Sequence, residues 1–449
     1  MRVSVVVCTY NRADSLRATL DCLRHQRFGD FEVVVVNGPS TDHTSEVVRE
    51  YVGVVKALDN PLANLSVSRN LGIAASAGDV VAFIDDDALP EFDWLCQAVA
   101  AFDDPEVAGV GGIVFDHTGL DLQYRYSASN RFGETEDHDT RPYDDLARPG
   151  SFLVPYLQGT NALFRRDALA GVGGFDETYE YYLDETDLCI RLVDAGYRLR
   201  QLPDAPVHHK FLPSHVRNEE RVVTNWFPIL KNHTYFGLRH ALDHASELEV
   251  IERATAFARR LVIDVSEHER HGRVPPGAGA HCESVVGDAI LAGAALGRER
   301  GRAPLPPARY EPGPFLRYAT IGAGHRRRIV MVSSGYPPAV TGGIARYVGE
   351  VAPAMAAAGH EVRVVTRTNG NGAVDFEHGV WFHRIAAGDC PGLVPEAPPP
   401  VDGFATAAAG EIVRIATWST PDLVYGPAWD VEVHGVLRSL PLPVVAFLD

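Results

Sequence analysis

A strand that runs straight into three consecutive acids constrains this chain more than any other feature. Val80-Val81-Ala82-Phe83-Ile84 is a run of five apolar residues that reads as a buried strand. Asp85-Asp86-Asp87 follows at once, and Ala88-Leu89-Pro90 breaks the pattern. Three adjacent carboxylates repel one another in a low-dielectric cleft, so a cation is expected between them. Hard oxygen ligands suit Mg2+ or Mn2+, which take one or two protein carboxylates and fill the remaining positions with water and phosphate oxygens. A solvated acidic turn would carry the same three residues.

The preceding residues supply a frame for that strand. Residues 2–8 form a continuous apolar pattern of the kind buried on both faces of a parallel sheet, and Thr9-Tyr10-Asn11-Arg12 makes the turn after it. Asp14 or Ser15 can cap a helix running to about residue 25, residues 31–36 form the next strand, and Asn37-Gly38-Pro39-Ser40-Thr41-Asp42 closes it. A short helix, a strand near 52–57 and a helix over 66–75 complete the alternation, which predicts a doubly wound α/β sheet. Ligands of such sheets bind beyond the carboxyl ends of the strands, where residues 9–12, 37–40 and 85–87 all fall.

These pieces in this order, together with Ser68-Arg69-Asn70 and Gly72, resemble the family 2 glycosyltransferases over roughly residues 1–240. The resemblance implies a GT-A type mixed sheet with a helical tail, a nucleotide-sugar donor (a UDP-sugar favoured) and a divalent cation, Mg2+ or Mn2+. By it, Thr9, Tyr10, Asn11 and Arg12 line the nucleoside pocket, Arg69 approaches the diphosphate, Asp85 faces the ribose with Asp86 beside it, and Asp87 ligates the metal. Many relatives read the base with an Asp at the end of the second strand. Asn37 stands there in this chain, and its amide can both donate to and accept from uracil.

A second acidic cluster opens a helical stripe at Asp184-Glu185-Thr186-Asp187-Leu188, where the macrodipole stabilises carboxylates. Asp187 has an ordinary partner in Arg191, one turn on. Relatives carry an acidic motif here whose second acid takes the proton from the acceptor hydroxyl. The order Asp-Glu puts Glu185 at that position with Asp184 beside it, and either could serve. An adjacent carboxylate raises its neighbour's proton affinity, which suits a base working near neutrality. In Val207-His208-His209-Lys210, the downstream Pro-Ser-His context matches His209 better than His208 to a histidine that reaches the metal in relatives; packing alone would also account for it. Gly111-Gly112 inside a strand pattern predicts a bulge or a close backbone approach, and residues 116–151 read as a long loop.

Residues 241–314 read as a helical tail with Pro/Gly linkers at 272–279 and 302–314, including a helix over about 283–299. From 315 to 449 the pattern restarts: a strand at 328–333, a Gly/Pro loop, a helix over 344–358 and a strand at 361–366 form a βαβ unit. Together with strands expected at 421–426 and 443–448, it resembles the N-terminal half of family 4 glycosyltransferases. That implies a second, incomplete Rossmann-like α/β domain without a full active site.

A formal net charge of −18 argues against general nucleic-acid binding. Six scattered cysteines without a C-x-x-C pair fit reduced thiols. The chain enters a strand within a few residues, and its apolar runs are too short to span a bilayer. A cytoplasmic protein is expected, with peripheral contact at the inner face of a membrane compatible with this. The expected reaction is inverting transfer of one sugar to a glycan, lipid-linked or small-molecule hydroxyl in glycan or glycoconjugate synthesis. Two alternatives come from other classes. One is a catalytically silent nucleotide-sugar-binding scaffold, against which both acid clusters argue. The other is a nucleotidyltransferase, which needs a Gly-rich basic loop where Thr9-Tyr10-Asn11-Arg12 stands.

Overall fold

The computed structural model describes residues 1–138, 140–301, 303–322, 325–386, 399–428 and 432–447. Arg302, Cys390 and Leu448, which belong to segments read above, lie outside them. The chain begins β1 (Val3–Thr9), α1 (Ala13–Leu23), β2 (Phe31–Asn37), α2 (Thr44–Glu50), β3 (Lys56–Asp59), α3 (Leu65–Ala75), β4 (Val80–Asp85), β5 (Ala88–Pro90) and α4 (Trp94–Ala100). It continues with β6 (Val107–Gly111), β7 (Val114–Phe115), β8 (Leu122–Tyr124), β9 (Tyr126–Asn130), β10 (Thr135–His138), β11 (Leu153–Pro155), β12 (Ala162–Arg165) and α5 (Arg166–Gly171). Then come α6 (Asp184–Asp194), β13 (Arg198–Gln201), β14 (Val207–His209), α7 (Phe227–His240), α8 (Glu247–Arg270) and α9 (Ala278–Arg300).

The main sheet has the order β13-β6-β12-β4-β1-β2-β3. It is mixed: β12 runs antiparallel to both β4 and β6, and the other pairs are parallel. Register and pleat sort the valines. Val3, Val5 and Val7 lie beside Val80, Ala82 and Ile84 and face α1, α2 and α4; Val6, Val34, Val81 and Phe83 face α3, α6 and α7. Gly72 brings α3 close to β1, since a Cβ there would sit 2.4 Å from Cγ1 of Val6. Gly72→Ala should therefore cost about 1–3 kcal/mol, read as a lower urea midpoint; an unchanged midpoint would show that the helix can back away.

Several boundaries differ from those expected. The third strand starts at Lys56 because residues 51–55 turn. Residues 116–151, read as a loop, contain three short strands that extend side sheets ordered β5-β14-β7-β8 and β10-β9-β11. The Gly111-Gly112 pair is a close approach: a Cβ on Gly112 would lie 2.1 Å from the carbonyl oxygen of Ala205. Within the expected linker at 272–279, residues 271–277 form the turn of a hairpin between two long helices and α9 already starts at Ala278; α9 packs on α7 so tightly that a Cβ on Gly293 would meet the carbonyl oxygen of Lys231 at 2.3 Å. The Pro-rich stretch after it runs beside α5, where the Ala308 N–H donates to Ala170 O at 2.8 Å, and residues 316–318 then meet β2 of the first sheet. Tyr318 is buried there, donating its N–H to Phe31 O at 2.8 Å and its hydroxyl to Leu20 O at 2.9 Å.

The rest of the chain forms β15 (Arg328–Ser333), α10 (Gly343–Ala357), β16 (Glu361–Thr368), β17 (Ala373–Glu377), β18 (Val380–Ala386), α11 (Pro399–Ala416), β19 (Leu423–Pro427), α12 (His434–Ser439) and β20 (Val444–Phe447). They build a six-stranded sheet, order β17-β18-β16-β15-β19-β20, parallel except at the β17 edge. The two halves share a small core of Cys22, Leu89, Phe92, Val374 and Trp381. Cys8, Cys22, Cys96, Cys189 and Cys282 are free thiols. Among the described residues no helix is long and apolar enough to cross a membrane.

Candidate active site

After β3 the chain crosses back to lay β4 on the other side of β1, and the carboxyl ends of these strands open onto a cleft. Both acid clusters line it. Asp85, Asp86 and Asp87 enter from β4, and Asp184 and Glu185 enter from the start of α6.

On the first wall, Asp85, Asp87 and His209 each offer a ligand atom, all within 4.8 Å of one another. His209 Nε2 lies 3.2 Å from Asp87 Oδ1 and 3.7 Å from Asp85 Oδ2. Its Nδ1 faces Gln123 Oε1 at 3.0 Å, which turns Nε2 toward the acids. The second oxygen of Asp87 accepts from Arg12 Nη1 and from the Leu212 N–H, both at 2.7 Å. Burial opposes its charge, but His209 and Arg12 outweigh that and hold the Asp87 carboxyl far below the ordinary range. Asp86 turns toward Arg12 at 3.5 Å; burial, then the charge of Asp87, push it up to about 7. Two carboxylates and an imidazole around one point, with room beside them, form a donor set that fits Mn2+ or Mg2+.

On the second wall, Arg69 is buried and its guanidinium meets Asp184, with Glu185 Oε2 at 3.9 Å. Asp184 is sealed at 1% exposure, whereas the Glu185 side chain is 22% exposed to the cleft. Burial, then the charge and hydrogen bond of Asp184, push Glu185 up to about 8 against the pull of Arg69. Two consecutive left-handed residues, Tyr182 (φ 76°) and Leu183 (φ 67°), aim this helix start. Such backbone costs about 1–3 kcal/mol per residue and persists only where the surroundings hold it. Asn232 of α7 does so, donating to Tyr181 O at 2.6 Å and Tyr182 O at 3.3 Å. Asp187 lies behind the wall, paired with Arg191 at 2.7 Å and His240 at 2.8 Å.

Thr9, Tyr10, Arg12 and Arg69 line the cleft with the acids. Asn11 and Asn37 do not. Asn11, at φ 55°, accepts the Thr41 N–H at 2.7 Å and so holds the loop whose Gly38 and Pro39 form part of the wall. The Asn37 amide is engaged inward, donating to Ser45 Oγ at 3.1 Å and accepting from Ser40 Oγ at 2.8 Å. Gln123, Tyr181, His215 and Arg217 also line the cleft; of these, His215 stands in the Pro-Ser-His segment and Tyr181 heads the stretch that carries the second acid cluster, and nothing in the sequence singles out Gln123 or Arg217.

Sheet order and the position of the cleft place the N-terminal half in the GT-A class. Comparison with known proteins narrows this: residues 4–173 match Glycosyl transferase family 2, and residues 342–447 match the Glycosyl transferase 4-like domain. The pre-mycofactocin glycosyltransferase of Mycobacterium tuberculosis is 34% identical over 212 residues, covering 46% of this chain and 42% of that protein. The chain thus spans less than half the length of that relative. The glucosyl-dolichyl phosphate glucuronosyltransferase of Haloferax volcanii is 30% identical over 224 residues, covering 47% of this chain and 69% of that one. Among solved structures, the mannosyltransferase PcManGT from Pyrobaculum calidifontis, in complex with GDP-Man and Mn2+, is similar at 19% identity and a TM-score of 0.41, covering 66% of this chain and 87% of that one. The chain belongs to glycosyl transferase family 2.

Proposed function

We propose that the chain moves one sugar from a nucleotide-sugar donor, with a UDP-sugar favoured, to an acceptor hydroxyl, inverting the anomeric centre, with a divalent cation in the site. The observation that carries this reading is the single cleft that both acid clusters line. Asp85, Asp87 and His209 would hold the cation, which supplies Lewis-acid stabilisation of the diphosphate leaving group. Arg12 fixes Asp87 from the nucleoside side. Glu185 takes the proton of the attacking hydroxyl, and Arg69 balances Asp184 so that the acid pair tolerates a second negative charge. Greater exposure to the cleft favours Glu185 over Asp184 as the base.

Residues 1–240 form the catalytic unit in this reading, 241–314 brace it and 315–449 form the second domain. The acceptor is a glycan, a lipid-linked saccharide or a small molecule; the name of the Haloferax volcanii relative, a glucosyl-dolichyl phosphate glucuronosyltransferase, supports the second. Peripheral contact with the inner face of a membrane is compatible with a lipid-linked acceptor.

Nucleoside diphosphate release from a panel of nucleotide sugars tests the reading. Release should stop in EDTA, return with Mn2+, and fall roughly 100-fold or more in Asp87→Ala. Turnover undiminished by EDTA would overturn the metal assignment.

A further inference from the structure

Strand β14 faces two ways. His209 turns toward Asp85 and Asp87, while His208 and Lys210 turn toward the C-terminal sheet. The fully buried His208 ring stacks on Phe115 with 4.8 Å between centroids and lies 4.5 Å from Trp381 of β18. Its Nε2 is 3.2 Å from Glu91, the residue after β5. Glu91 in turn accepts both arms of Arg363, from β16, at 3.0 and 2.6 Å. Lys210 donates its backbone N–H to Asp87 O at 2.9 Å, and its ammonium reaches Val374 O at 2.6 Å and Asp375 Oδ1 at 2.7 Å.

β5, which follows Asp87 directly, pairs with β14, so the small sheet carries His209 and anchors the end of the acidic turn, while Asp85 closes β4 of the main sheet. The C-terminal domain grips that sheet from behind. A buried bidentate pair adds little net stability over an apolar contact of equal volume; what it adds is orientation. Groups that hold a metal's ligands in place set its affinity, and here the support reaches His209 through its strand neighbour His208.

We propose that the 4-like domain buttresses the metal site of the first domain, with Arg363 and Trp381 as positioning residues that act on His209 through Glu91 and His208. This rests on the reading of Asp85, Asp87 and His209 as cation ligands. It gives the second domain a part in the first domain's chemistry that needs no donor site of its own.

The test is Mn2+ binding to the full chain without donor, followed by calorimetry, with circular dichroism as the check on folding. Asp87→Ala should remove binding. Arg363→Met and Trp381→Leu should each raise the Mn2+ dissociation constant by about 10–100-fold. Their activity loss should appear in the Mn2+ concentration giving half-maximal rate, not in the rate at saturating Mn2+. Adding Glu91→Gln to Arg363→Met should recover part of the affinity, because no buried charge is then left unpaired. Trp381→Leu leaves every charge paired and so carries the test should Arg363→Met misfold. Folded variants that bind Mn2+ like wild type, alongside an Asp87→Ala that does not, would overturn the buttress and leave the metal site standing. An Asp87→Ala that binds normally would remove the metal site itself.

Discussion

Glu185→Gln should lower kcat by about 10²–10⁴-fold while leaving donor affinity close to wild type. The amide keeps the size and the hydrogen-bonding edge of the side chain but cannot accept the proton of an acceptor hydroxyl. A pH profile gives a second check. Burial, and then the neighbouring Asp184, push the Glu185 carboxyl up to about 8. Only the ionised form acts as a base, so the wild-type rate should climb with pH and level off above about 8. The same shift has a consequence for stability. The folded chain holds this proton more tightly than the unfolded chain, where the group ionises at its ordinary 4.5. That stabilising contribution is complete below the unfolded value and is lost as pH rises through the folded one. Glu185→Gln has no such loss, so its Tm relative to wild type should rise between about pH 5 and pH 9. A rate loss under tenfold together with an unchanged pH profile would rule out Glu185 as the base.

Arg69→Met should be the most destabilising single change in the cleft, at about 3–5 kcal/mol in denaturant unfolding. It strands the Asp184 carboxylate, 1% exposed, with its cation gone. The guanidinium also lies 5.1 Å above the Phe175 ring and fills a slot that Gly159 leaves open, where a Cβ would meet Nη2 at 2.3 Å. Combining it with Asp184→Asn should return much of the loss, since the pair is coupled. A single-variant cost below about 1 kcal/mol would mean that the pair is solvated and the acids are not balanced as described.

What could be read from the sequence follows from how local each signal is. Val3–Thr9 and Val80–Asp85 are apolar on both faces because helices cover both sides of the sheet, and runs of valine report that directly. The ion pair of Asp187 with Arg191 lies one helical turn apart and was equally plain. Asn11 and Asn37 show the limit of position alone: both stand at the carboxyl end of a strand, yet their side chains shape loops and leave the cleft wall to Gly38 and Pro39. Gln123 and Asn232 sit far from the residues they orient, in segments with no pattern marking them. Nor does composition show that the residues just after the Pro-rich stretch, up to Tyr318, pack onto the first sheet, because that depends on a hole between Phe31 and Leu20 that exists only in the folded chain.

The central claim is that one cleft holds a cation on one wall and a base on the other. It is tested most directly by an anomalous difference map from crystals of the full chain grown with Mn2+ and UDP. The account predicts a manganese peak within coordinating distance of Asp87 and His209, with the diphosphate between that peak and Glu185. A well-occupied manganese and nucleotide bound elsewhere, with Asp87 still held by Arg12 and Leu212, would contradict it.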